Sequence, residues 1–333
     1  MPGLRVFFAA VLAVLACAGA ASAYPWPLKP FHKQHPIRGV FGDPRTVFQY
    51  SELADGIDGP GTFSFHNGVD IAAGGGTPVY AVVSGKAKVL SVSAVSVVTS
   101  SSGTFRYEHV IPAVMDGQEV RAMKTVLGRV EAYAGHVHLS EVRDGRVVNH
   151  LQRGHLQPYV DHTVPTIGQL LLRDLTGHAV SPLSVCGKVT LSVEAYDTPS
   201  LPVPGRFNGL PVAPALVTWK ISRLDGTTIF PLAAAADFRR FLPLNDQFWN
   251  VYARGTYQNA PRFGIRQFTA MPGRFVYWLT PSLDTKVLGN GIVTVKVTVL
   301  DERGNRDSYS ERLSVFNKLN ATGCPKPPAT QAP

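Results

Sequence analysis

The chain is poor in cysteine, with three in 333 residues, and in charge, with Asp, Glu, Lys and Arg together making up 17%. Cys17, Cys186 and Cys324 stand far apart, and no Cys-x-x-Cys spacing occurs, so neither a cysteine zinc framework nor a thioredoxin-type redox motif is present. Beyond the first residues there is no apolar run of eighteen or more, and no transmembrane segment is expected in the mature chain. Helical periodicity of useful length is also missing, which removes the α and α/β classes. The net charge is +9, yet no Lys/Arg-rich block and no nucleic-acid-binding motif accompanies it, so nucleic acid is not an expected partner.

What is present begins with a leader. Arg5 precedes an apolar stretch over 6–16, and Ala21-Ser22-Ala23 supplies an Ala-x-Ala site. That arrangement predicts a secretory signal peptide over 1–23, cleaved near Ala23, and a secreted or cell-envelope-associated product. The leader removes one positive charge and Cys17. The remaining excess of positive charge suits an anionic cell envelope. Cys186 and Cys324 are left as an even pair in an oxidising compartment and are expected to join. Closing a loop of that length restricts the unfolded chain by about 4 to 5 kcal/mol in the entropy model.

The remainder is long enough for two domains. After a short N-terminal segment, 24–35, residues 36–151 carry short β-rich runs broken by glycine, such as Val79-Tyr80-Ala81-Val82-Val83 before Gly85. This reads as an antiparallel all-β domain. Residues 152–185, with Pro158, Pro165 and Pro182, read as a connector. Over 186–318 the runs lengthen and alternate, as in Ile292-Val293-Thr294-Val295-Lys296-Val297, with turn signals at Asp225-Gly226 and Asn290-Gly291. A β-sandwich is predicted there. The Pro-rich tail, 319–333, is expected to be disordered.

The chemistry-bearing residues fall in the first domain. A single His-x-His occurs, Gly135-His136-Val137-His138-Leu139. On a strand, residues i and i+2 share a face, so both imidazoles can enter one site. With ten histidines such a pair is expected about 0.3 times by chance, so it proves little alone. The run Phe65-His66-Asn67-Gly68-Val69-Asp70 adds a second histidine and a carboxylate. On one straight strand His66 and Asp70 would stand about 13 Å apart, too far to share an ion. The chain must bend, and Gly68 permits it. Two His-type ligands and one carboxylate, with a fourth position left to water, match a catalytic zinc site. His66, Asp70 and one member of the His136/His138 pair satisfy that count.

In order, the chain then reads Phe65-His66-x-x-x-Asp70-Ile-Ala-Ala, Gly76-Thr-Pro-Val-Tyr-Ala, Tyr107-Glu108-His109, Asp116-Gly-Gln with Leu127-Gly128, and Gly135-His-Val-His-Leu-x-Glu141-Val. Here it resembles the lysostaphin-type, or LytM-like, zinc endopeptidases that cleave the peptide bridges of bacterial peptidoglycan. The resemblance spans 36–151 and includes a preceding Gly39-Val40-Phe41-Gly42. It implies zinc held by His66, Asp70 and His138, with His136 and His109 as the catalytic pair and peptidoglycan peptides as substrate. Two departures are Val110 after His109, where the family commonly has Leu, and Leu139-Ser140-Glu141, where it has a His-Phe-Glu context. The end of the second half, running into Asp301-Glu302-Arg303-Gly304-Asn305, resembles the last hairpin of bacterial immunoglobulin-like domains. One histidine suffices to take a proton from water and another to steady the oxyanion, and the sequence does not say which does which. The alternative function is a non-catalytic wall-binding or regulatory module that retains the peptidase fold. Asp161 and Asp197 are polar residues without a third partner at sensible spacing, and His150 and His155 are read as ordinary core or surface histidines.

Overall fold

The computed structural model describes residues 23–46, 63–99, 103–259 and 272–317. The expected leader and the Pro-rich tail with Cys324 lie outside the described residues. Within them the strand pairings are antiparallel, as the sequence predicts.

In the first half an eight-stranded sheet runs Ile37–Gly39, Val69–Ala72, His136–Arg143, Thr104–Glu108, Ala94–Val98, Gly85–Ser91, Glu119–Val120. The strand Arg146–Val148 pairs with the far end of His136–Arg143. The two-residue period decides what each strand does. Val137 and Leu139 enter the core with Val69, Ile71, Phe105 and Tyr107. Their neighbours His136, His138, Ser140 and Asp70 are thereby sent to the opposite face.

This core reaches further along the chain than 36–151. Tyr24, Trp26 and Leu28 are buried in it together with Leu151, Leu156 and Tyr159. The segment 24–35, read from sequence as a separate piece, is thus packed into the first half. Fully burying a side chain such as Trp26 contributes about 1.5 to 3 kcal/mol or more, which is ample reason for a short, non-periodic segment to dock. Glu141 ties the ends together. Its carboxylate accepts from the Tyr24 hydroxyl at 2.7 Å and pairs with His155 Nδ1 at 2.7 Å and Arg143 Nε at 2.6 Å. Burial opposes its charge, but the bond from His155, the charge of His150 and the bond from Tyr24 bring its pKa down to about 2.

His150 lies fully buried beside this cluster, and its ring nitrogens make no well-formed hydrogen bond beyond a marginal approach to the backbone of Ser140. Burial pulls its pKa down to about 3 from the ordinary 6.5, against the attraction of Glu141. Between those two values the unfolded chain takes up a proton that the folded chain refuses. Stability therefore rises with pH through this window and is lost as pH falls below 6.5. Replacing His150 by Leu should flatten the acid side of a denaturation-midpoint profile between pH 6.5 and about 3. An unchanged slope there would show that His150 does not set it.

The segment read as a connector is not one throughout. Thr166–Asp174 forms a strand that pairs along its length with Lys188–Tyr196. With Val276–Asp284 these make a three-stranded sheet, which faces a four-stranded one ordered Thr228–Asp237, Leu216–Arg223, Gly291–Leu300, Arg306–Val315. Leu191, Val193 and Tyr277 from one sheet and Val217, Trp219, Val295 and Val297 from the other share one core, so the second half is a two-sheet sandwich. Cys186 is disulfide-bonded. The partner expected for it, Cys324, lies outside the described residues.

The halves are not beads on a string. Phe41, Phe63 and Phe65 from the first half lie in the core of the second. The Phe65 ring stands 5.3 Å from Phe248, 5.7 Å from Phe238 and 5.8 Å from Tyr252. Polar bonds cross the same seam, from Ala213 N to Asp43 Oδ1 at 2.7 Å and from the Tyr252 hydroxyl to Gly42 O at 2.7 Å. Phe65 directly precedes His66, so the second half steadies the approach to the candidate ligands.

Candidate metal centre

Asp70 and His138 face each other in register across the strands Val69–Ala72 and His136–Arg143. His66 reaches them because the chain turns at Asn67-Gly68. A Cβ at Gly68 would lie 2.4 Å from Leu139 O and 2.7 Å from the His138 ring, so only glycine lets the turn pass so close. The bend inferred from the spacing is therefore present. His66 Nε2 and Asp70 Oδ1 are 3.0 Å apart, His66 Nε2 and His138 Nδ1 2.8 Å, and His138 Nδ1 and Asp70 Oδ1 3.0 Å.

The outer contacts decide which atoms face inward. The carbonyl of Val40 can only accept, so His66 donates Nδ1–H to it at 2.8 Å and turns the Nε2 lone pair inward. Ser140 Oγ meets His138 Nε2 at 2.8 Å, and with Nε2–H donated there Nδ1 is likewise a lone pair. Asp70 Oδ2 is held by Arg45 Nη2 at 2.9 Å while Oδ1 points at the two imidazoles. Burial alone would raise the Asp70 carboxyl, but the adjoining imidazoles of His66 and His136 and the guanidinium of Arg45 outweigh it and hold it well below the usual range. Burial, aided by Arg45, brings His66 down to about 3, so it is neutral. Three potential ligand atoms thus converge within 3.0 Å of one another. That set suits a divalent cation, and two imidazoles with one carboxylate suit zinc. The outer hydrogen bonds are those that orient metal-binding histidines.

His136 sits beside this cluster and is not needed to complete it. Its Nδ1–H goes to Ala134 O at 2.8 Å, and its Nε2 lies 3.4 Å from Asp70 Oδ1. His109 follows the strand Thr104–Glu108 with φ +62, a left-handed conformation uncommon for a side chain of this size. A backbone bond from Glu131 N to His109 O at 2.9 Å pins it there. Its ring comes to 4.4 Å from that of His136, and its Nδ1 to 3.5 Å from Glu131 Oε2. Burial and the charge of His136 lower its pKa. All five residues singled out from the sequence therefore stand together. Arg45 and the carbonyl of Val40 escape a sequence reading because non-local pairing brings them to the site, whereas Ser140 and Ala134 each lie two residues from the histidine they hold, a spacing that could have pointed to them.

The cluster opens onto a groove of about 1020 Å³ whose walls come from both halves. Arg38, Glu131 and Tyr133 line it from the first, and Phe207, Leu242 and Asn245 from the second. Elsewhere Asp161 and Asp197 do find a third partner, Asp301, with carboxylate oxygens within 4.8 Å of one another. The sequence reading missed it because Asp301 lies in a distant turn. Burial, then Asp161 and Asp301, push Asp197 up to about 8.

No protein-family model matches the chain, and no curated protein matches it. Among solved structures it is similar in part to Csd3 of Helicobacter pylori, at 21% identity and a TM-score of 0.31 over 42% of this chain and 36% of that one. The SpoIIQ–SpoIIIAH pore-forming complex aligns at 20% identity and a TM-score of 0.29, over 39% of this chain and 89% of that one. The M23 metalloprotease pseudoalterin, from the deep sea, aligns at 18% and 0.29, over 43% and 81%. The match takes in little more than a third of Csd3. Each likeness is confined to part of the chain and too loose to carry a functional assignment, which must come from the residues themselves.

Proposed function

We propose that this chain is an exported zinc-dependent endopeptidase acting on the peptides of bacterial peptidoglycan. The observation that carries this reading is the convergence of His66 Nε2, Asp70 Oδ1 and His138 Nδ1 on one point, with two further histidines outside the ligand count. Zinc bound there would polarise a scissile carbonyl and lower the pKa of a bound water to about 7. The partners of the two histidines support a division of labour between them. His136 holds its proton on Nδ1 through Ala134 O, which leaves Nε2 as a lone pair facing the cluster. It is placed to take the proton from water and return it to the leaving amine. His109, half-exposed on the groove wall, is placed to donate to the oxyanion. We read the second half as an immunoglobulin-like sandwich that supplies the other wall of the groove, in an envelope whose anionic character matches the positive chain.

Purified bacterial peptidoglycan incubated with the protein after removal of 1–23 should gain new free amines. A chelator should stop their release and zinc should restore it. A zinc-loaded protein that binds peptidoglycan and releases none would instead be the non-catalytic module.

A further inference from the structure

Ile37 and Arg38 are adjacent on the edge strand Ile37–Gly39, so they point to opposite faces. Ile37 is buried in the core, which sends the half-buried Arg38 into the groove. Its Nη2 stands 3.5 Å from His136 Nε2, and its guanidinium carbon lies 4.3 Å from the centroid of the Phe207 ring contributed by the second half. Arg206 approaches the same ring at 5.4 Å. Neighbouring Arg45 is occupied by Asp70 and Asp43. Arg38, by contrast, has no carboxylate within ion-pair distance among the described residues. Stacking on Phe207 fixes the plane of the guanidinium while leaving N–H groups on its edge open to the groove.

A planar cation withdrawn from water, oriented by an aromatic face and reached by Asp70 only from beyond ion-pair distance suits a carboxylate, which its fork can bind through two hydrogen bonds. We propose that Arg38 is a specificity-determining residue that binds a carboxylate of the peptide substrate. This rests on the peptidase reading above for the identity of the groove. Because Arg38 touches His136, the carboxylate it holds falls within one or two residues of the bond to be cut, one extended residue spanning about 3.3 to 3.6 Å. Two sources offer that chemistry, the C-terminal carboxylate of a peptide and an acidic side chain.

Calorimetry on the zinc-loaded protein separates them with four probes. These are acetyl-tetra-alanine as the free acid and as the amide, and amidated acetyl-alanine peptides carrying Glu or Gln at one internal position. The expected result is a preference of about tenfold for the acid over its neutral counterpart in one of the two pairs, which names the source. In Arg38→Gln the preference should fall to about twofold or less with binding of the neutral peptides unchanged, and Arg38→Lys should fall between. Zinc contributes equally to both proteins, so the difference belongs to Arg38. No preference in either pair, or a loss in Arg38→Gln that is equal for acid and amide, overturns the proposal. Binding is read without turnover, so a protein that shows the Arg38-dependent preference but cuts nothing would overturn the peptidase reading and keep Arg38 only as the carboxylate-binding residue of a peptide-binding groove.

Discussion

Protein carrying His138→Ala is expected to lose zinc affinity by at least about 10²-fold and to release no amine from peptidoglycan. The size of the effect follows from how the cluster is built. His138 Nδ1 is one of three donors within 3.0 Å of one another, and its outer nitrogen is already bound to Ser140 Oγ, so nothing nearby can take its place. His136 Nε2 is 3.4 Å from Asp70 Oδ1, and its ring is anchored through Nδ1 to the Ala134 carbonyl, beside the three-donor set and not within it. Metal content by mass spectrometry, read on the same sample as hydrolysis, checks both halves of the expectation. A variant retaining a full equivalent of zinc would mean that the third ligand is another residue.

The second large effect separates binding from chemistry. His136→Ala should keep zinc close to one equivalent and yet lose turnover by about 10²- to 10⁴-fold, the range for removing an acid/base group. The ligand count is complete without His136, and its ring lies 4.4 Å from that of His109 on the open side of the cluster. A purely structural His136 would instead give nearly normal turnover, with the damage appearing in the melting temperature. Normal turnover in the zinc-loaded variant would remove His136 from the mechanism.

The candidate ligands could be picked out because each lies in a short local pattern whose strand period places it. His136-Val137-His138 on one strand and the glycine-permitted bend from His66 to Asp70 are local matters. The more distant supporting partners could not, since Val40 and Arg45 meet the candidate ligands across 26 and 25 residues of chain, whereas Ser140 shares the face of its own strand with His138. The edges of the first half were harder still. Tyr24, Trp26 and Leu28 are too few to show a period, and only the cavity they fill reveals their place. Thr166–Asp174 hid behind Pro165 and a run of exposed residues, because its inner face buries little beyond Leu172. Prolines that bracket a strand read in sequence like prolines in a loop. The second half was legible in class from its alternation, but not in its role as a groove wall, which depends on Phe65 seating beside Phe248.

In the proposed function one zinc, held by His66, Asp70 and His138, makes this chain a peptidoglycan endopeptidase. The most direct measurement is a titration of metal-free protein with zinc while amine release from purified peptidoglycan is followed. Activity should rise in proportion to added zinc and level off near one equivalent. Release that is already full in the metal-free protein, or absent at every zinc level, would contradict the account.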